Sequence, residues 1–277
     1  MPSIQENRSW GKYSWPEQGD EWSRDWGDAE TQWFASIFPR IHRFFPAPRV
    51  LEIAPGYGRW SGFLIGGATE YIGIDLNNEC ISACRDRFSA AKHATFVVND
   101  GTSLAAVRDN SIDFAFSFDS LVHCEIDVIE AYLVELSHKL SPNGVAFLHH
   151  SNLGEFNGAL LNLSRLLRIP SDKWRLTASV LRRLQLSFWD HWRAPSVTAQ
   201  KVADTGRTAG LACVGQEVIN WGRHNWRLVD CLSTLTRFGS RWERQNVVVR
   251  NSYFMAEARS AHVVSRIYAS IAAELNN

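Results

Sequence analysis

From Arg49 to His150 the chain repeats short β-rich runs separated by stretches of helical spacing, and this alternation restricts it to few folds. RVLEIA (49–54) leads into the glycine turn and helical pattern of PGYGRWSGFLIGG. YIGID (71–75) is followed by a helical stretch over 78–90, then by ATFVVND (94–100) and SIDFAFSFD (111–119). DVIEAYLVELSHKL (127–140) carries apolar residues at helical spacing, SPNG (141–144) reads as a turn, and VAFLHH (145–150) is a fifth strand. Strands joined by crossover helices lie parallel with helices on both faces, so the predicted class is a doubly wound, Rossmann-like α/β sheet.

The flanks depart from this rhythm. Residues 27–45 (GDAETQWFASIFPRIHRFF) read as a helix that Pro39 must kink or restart, because proline lacks the N–H and clashes with the preceding turn. Residues 154–195 are predicted to be a helical cap insertion. The chain resumes with a helix near 196–209 and two β-rich runs, 211–221 and 227–238, expected to pair antiparallel at the sheet edge, then a terminal helix. The expected organisation is an aromatic and helical segment (1–48), a ligand-binding core (49–153), the cap (154–195) and the C-terminal part of the core (196–277). At 277 residues this is one large domain with an insertion.

Composition narrows the function classes. With 29 basic and 29 acidic side chains the formal charge is zero, which argues against a nucleic-acid binder, since phosphate neutralisation needs a basic excess. No apolar run approaches the roughly 20 residues that cross a bilayer, and the N-terminus lacks the apolar core of a signal peptide. Cys80, Cys84, Cys124, Cys213 and Cys231 form no CxxC pairs, so reduced thiols in a cytoplasmic protein are expected.

The candidate ligand site is the set of strand ends. Glu52-Ile53-Ala54-Pro55-Gly56-Tyr57-Gly58 lets the backbone approach a ligand at the carboxyl end of the first strand. Asp75, ending the second strand, is placed to hold two ribose hydroxyls. Asp100, ending the third, is placed to accept an adenine amine, with Gly101 giving access to the ring. A dinucleotide fingerprint requires a third glycine that is absent here, and Glu52 at the mouth of the turn would repel a pyrophosphate. S-adenosylmethionine (SAM) carries an ammonium and a sulfonium instead, so the acids favour SAM.

VLEIAPGYGRW, YIGIDL, VVNDG and SIDFAFSFDSLVH resemble the successive motifs of class I SAM-dependent methyltransferases over roughly residues 49–150. FSFDSLVH, FLHHSNLG, HWRAPSVTA and GQEVINWG resemble a bacterial branch acting on sugar hydroxyls, including enzymes of methylated polysaccharide synthesis in mycobacteria. The resemblance implies cofactor contacts from Glu52, Ala54, Pro55, Gly56, Gly58, Asp75, Leu76, Asp100, Gly101 and Phe118. Ala54 stands where the family has glycine; its methyl is small, and cofactor binding is expected to survive.

Methyl transfer to a hydroxyl requires in-line placement of the acceptor and a group that lowers the barrier to losing its proton. The expected bases are His149 and His150 at the end of the fifth strand, which point to opposite faces, with Asp119 and His123 as orienting groups. Magnesium at Asp119 and the histidine pair is an open alternative without defined ligands. Of 12 tryptophans, only Trp60 falls in the cofactor half; the rest precede residue 49 or follow the fifth strand. Most are expected to anchor these segments and a few to face a sugar ring; His191, Trp192, Arg193, Asn220, Trp221 and Arg223 are expected on the acceptor side. The function expected is therefore O-methylation of a carbohydrate or other small-molecule acceptor, with homodimerisation left open. The alternatives are a phenolic or macrolide-type acceptor and a catalytically silent SAM-binding protein.

Overall fold

The computed structural model describes residues 12–155, 193–222 and 227–275. Most of the expected cap, together with His191, Trp192 and Arg223, lies outside them. An eight-stranded sheet runs through the molecule in the order β3-β2-β1-β4-β5-β7-β6-β8. Its strands are β1 (Arg49–Ile53), β2 (Glu70–Asp75), β3 (Ala94–Val98), β4 (Ile112–Ser117), β5 (Leu140–Ser151), β6 (Leu211–Ile219), β7 (Asp230–Arg237) and β8 (Val247–Asn251). The strands β1 to β5 pair parallel, and β7 lies antiparallel between β5 and β6. The predicted antiparallel pairing of the last two runs is therefore present, although β8 pairs parallel outside β6 and takes the edge. β8 escaped the sequence reading because its valines stand outside any alternation and are about half exposed.

Helices follow the strands in the expected order: α1 (Ala29–Gln32) and α2 (Phe38–Ile41) before the sheet, then α3 (Ser61–Gly66), α4 (Asn78–Arg87), α5 (Ile126–Lys139), α6 (Ala199–Thr208) and α7 (Phe254–Leu275). A π-helical turn, Trp33–Ile37, joins α1 to α2. The widened turn puts Pro39 in the first turn of α2, where its missing N–H breaks no helical bond, so the proline restarts the helix. The expected SPNG turn is a bulge within β5: register jumps from Ile112↔Leu140 to Phe114↔Val145, leaving 141–144 looped out.

Alternate residues of each strand feed two cores. Val50, Phe114, Phe116 and Phe147 pack against Trp33, Phe45 and Phe254, whereas Leu51, Ile53, Ala115 and Leu148 pack against Leu133, Leu136 and Val202. Trp26 and Trp33 are wholly or almost wholly buried, and Trp242 packs edge-on to Phe44. These three tryptophans anchor segments to the sheet.

The first strand ends in a strained turn. Ala54 has φ 57°, followed by Gly56 at 57° and Gly58 at 84°. At Gly58 a side chain would be blocked, since a Cβ would stand 2.5 Å from the Phe88 ring. The alanine is held in this left-handed conformation by its N–H to the Ile74 carbonyl (2.7 Å) and by the Ser120 hydroxyl donating to its own carbonyl (2.8 Å). The conformation costs an L-residue about 1–2 kcal/mol, and glycine adopts it freely. Ala54→Gly is expected to raise stability by up to about 1 kcal/mol once the greater entropy of the unfolded glycine chain is subtracted. Urea denaturation checks this, and a loss above about 1 kcal/mol would contradict the strain.

Candidate active site

The carboxyl ends of β1, β2 and β4 open into a cavity of about 780 Å³. Among the sequence-predicted residues, Ala54, Pro55, Gly56, Asp75, Leu76, Gly101, Phe118, Asp119 and His123 line it. Glu52, Gly58, Asp100, His149 and His150 do not.

Asp75 shapes one side of the cavity. One carboxylate oxygen accepts the N–H of Asn77 (2.8 Å) and the other that of Gly56 (3.1 Å), so the end of β2 holds the turn after β1. Burial pushes this carboxyl up to about 6, with those backbone N–H groups working against the rise. Leu76, Cys124, Val128 and Tyr132 add an apolar wall beside it. Asn99, the neighbour of Asp100, donates to the Tyr132 hydroxyl (3.0 Å) and accepts from Gly101 N–H (3.0 Å). Asp100 itself is exposed and folds its own loop, accepting from Thr102 and Ser103 N–H groups, which hold its carboxyl below the usual range.

Glu52 lies behind the turn, not at its mouth. Its carboxylate accepts from the Ser61 hydroxyl at 2.6 Å and from the Tyr71 hydroxyl. Period-2 alternation explains this: Glu52 shares a face with Val50 and is buried, so its side chain does not line the cavity.

Around Asp119 the cavity is built on charge pairs. Asp119, at φ 62°, is bound by Arg59 (2.9 Å) and lies 3.6 Å from Arg193. Burial would raise its carboxyl, but the two guanidinium groups outweigh that and hold it below the usual range. Arg193 is locked to fully buried Asp230 (2.8 Å). Trp221 lies against Arg193 (5.2 Å to the ring centroid) and both line the cavity. Two guanidinium groups around Asp119 repel a cation there, and no three His, Cys, Asp or Glu groups gather as metal ligands among the described residues. The magnesium alternative does not fit this donor set.

The histidine pair points to opposite faces, as strand geometry requires, and both rings are fully engaged. His149 accepts the Asp119 N–H at Nδ1 (3.1 Å) and meets Asp230 through Nε2 (3.2 Å). His150 bonds the Ser151 carbonyl through Nδ1 (2.8 Å) and the Ser233 hydroxyl through Nε2 (2.7 Å), and burial pushes it down to about 4. Neither ring keeps a nitrogen for a substrate proton. Among the described residues, His123, in the 3₁₀ turn Leu121–His123, is the histidine on the cavity wall.

Sequence reasoning missed Arg59, Trp15 and Asp230. Arg59 stands beside the glycine turn, and Asp230 opens β7 as an acid flanked by Leu228, Val229, Cys231 and Leu232; both were visible signals. Trp15 stacks on Tyr57 (4.9 Å) and lies over Gly56, where a Cβ would come within 3.1 Å of its ring. Arg87 bonds the Tyr57 carbonyl (3.1 Å), fastening this turn to α4. The Trp60 indole N–H is buried on the cavity wall with no hydrogen-bond partner among the described residues, a donor suited to a polar ligand.

Residues 50–144 match the methyltransferase domain family. Among solved structures, a SAM-dependent methyltransferase from Methanosarcina mazei superposes with a TM-score of 0.52 at 18% identity, over 73% of this chain and 98% of that one. A protein from Pyrococcus horikoshii superposes with a TM-score of 0.51 at 20% identity, over 78% of this chain and 98% of that one. No curated protein matches the sequence. The fold is that of class I methyltransferases, and the chain carries a methyl-transferring enzyme domain on it.

One pH dependence follows from Glu52. Burial pushes its folded carboxyl up to about 7 from 4.5. The folded state therefore keeps a proton that the unfolded chain loses between those values. Stability from this group is full below pH 4.5 and is lost as pH rises through about 7. Each pH unit within that window removes about 1.4 kcal/mol. Glu52→Gln, whose amide oxygen can accept both hydroxyls, is expected to flatten the decline in denaturation free energy across the interval from 4.5 to about 7. An unchanged decline would place the dependence elsewhere.

Proposed function

We propose that this SAM-dependent methyltransferase transfers the methyl group to a hydroxyl of a carbohydrate. The observation that carries the reading is the aromatic lining of the cavity, where Trp22, Trp60, Phe118 and Trp221 share the wall with Asp119, His123 and Arg193. Indole faces pack on the apolar face of a sugar ring, and charged hydrogen-bonding groups among them fix its hydroxyls.

SAM, when bound, supplies an electrophilic methyl on a sulfonium. In this reading Asp75 holds the ribose hydroxyls, each carboxylate oxygen keeping a lone pair beyond its backbone bond. Leu76, Val128 and Tyr132 enclose the adenine, and Trp15 and Tyr57 close over the glycine turn. Asp119 is a poor proton acceptor because its pairing with Arg59 and Arg193 favours the ionised form; it serves to orient an acceptor hydroxyl. The base is His123, the cavity-lining imidazole, rather than His149 or His150.

Asp75→Ala removes a charge-assisted acceptor for two hydroxyls and is expected to weaken SAM binding by roughly ten- to a hundredfold, measured by calorimetry. Unchanged affinity would remove the ribose contact. His123→Ala is expected to lower turnover by roughly 10²-fold or more at unchanged SAM affinity, and full turnover would exclude it as base. Acceptor class is read by methyl transfer from labelled SAM to glycosides, oligosaccharides and phenols. Labelling of glycosides alone supports the proposal, and labelling of phenols alone overturns it.

A further inference from the structure

Four buried or nearly buried groups close into a ring on the acceptor side. The Asp119 backbone N–H donates to His149 Nδ1 (3.1 Å); His149 Nε2 meets Asp230 Oδ2 (3.2 Å); Arg193 binds both Asp230 oxygens (2.8–3.2 Å) and approaches Asp119 Oδ1 (3.6 Å). The four come from distant parts of the chain: the end of β4, the last turn of the pleat in β5, the start of β7 and the residue that follows 156–192. Register makes the meeting possible. Asp230 pairs with Ser151 and Leu232 with His149, so Asp230 and His149 are diagonal neighbours on one face.

The hydrogen bonds demand one imidazole tautomer. Nδ1 accepts an N–H and must carry a lone pair, so the proton is on Nε2 and is donated to Asp230. Such a ring is not built for proton transfer, because the lone pair a base would use is already taken. Its effect is on Asp119, whose left-handed conformation persists only where the surroundings over-determine it. There its carboxylate joins Arg59, from the cofactor turn, to Arg193, from the acceptor wall.

We infer that His149 and Asp230 are positioning residues for methyl transfer: through the ring they fix Asp119 and Arg193 against the acceptor. The inference rests on the methyltransferase reading and on Asp119 facing the acceptor. Asp230 lies outside the matched domain, residues 50–144, so no family motif gives it this role. A displaced orienting group slows a displacement reaction without weakening the cofactor.

The test compares His149→Leu, His149→Gln and Asp230→Asn with the wild type. Glutamine can accept from Asp119 N–H through Oε1 and donate to Asp230 through Nε2. His149→Leu and Asp230→Asn are expected to lower kcat/KM for the acceptor about tenfold or more, with SAM affinity within about twofold of wild type. His149→Gln is expected to recover most of the loss. Three results would overturn the inference: wild-type kcat/KM in His149→Leu, a parallel loss of SAM affinity, or a His149→Gln as slow as the leucine variant. If leucine prevents folding, the glutamine and Asp230→Asn variants carry the comparison. A second readout needs no acceptor. Nitrogen-15 spectra of histidine-labelled wild type are expected to show His149 Nδ1 unprotonated and Nε2 protonated at neutral pH. A protonated Nδ1 overturns the ring, whereas the expected spectrum in a protein that methylates no carbohydrate removes only the substrate assignment.

Discussion

The carboxylate of Asp75 is where the site begins. It ends β2 and ties the turn after β1 to the start of α4, accepting Gly56 N–H with one oxygen and Asn77 N–H with the other. Everything at the carboxyl edge follows from that double tie. With Gly56 and Ala54 held in left-handed conformations, the backbone curls away from the sheet and a ligand can approach it. Arg59 is then carried to the far side of the turn, where it meets Asp119 at the end of β4. Strain and buried charge fix this edge, the kind of rigidity that a displacement dependent on alignment requires.

The charge cluster around Asp119 obeys a related logic. Asp119 and Asp230 carry two negative charges, Arg59 and Arg193 two positive ones, so the buried cluster is balanced. Buried ion pairs of this kind add little net stability, because desolvation consumes most of the Coulomb energy. What they contribute is geometry: removing one partner leaves a buried charge uncompensated, so the arrangement tolerates few alternatives. The aromatic wall is set by the same groups, with Trp221 packed against Arg193, His149 (5.3 Å) and Phe254 (6.0 Å).

Much of the core fold was legible because strands buried on both faces, such as β1, β4 and β5, read as short and nearly continuous apolar runs between stretches of helical spacing. β8 was not, since an edge strand with exposed valines has no buried face to declare. The turn after β1 was legible from its glycines and from Asp75, whose types are dictated by backbone conformation and hydrogen bonding. Glu52 was misread because an acid near a turn looks solvated, and only the pleat sends it inward to Ser61 and Tyr71. The histidine pair shows the sharper limit. Sequence revealed that the two rings must diverge, but not that Ser233 and Asp230, more than 80 residues away, would take up their nitrogens. Partners distant in sequence leave no local trace.

Methyl transfer at this site requires that the carboxyl-edge turn receive SAM and not a dinucleotide. The direct measurement is calorimetric titration of the protein with SAM, with its demethylated product S-adenosylhomocysteine and, separately, with NAD. The account predicts that SAM and S-adenosylhomocysteine bind with one-to-one stoichiometry and that NAD gives no saturable heat. Tight NAD binding with none for SAM would contradict it.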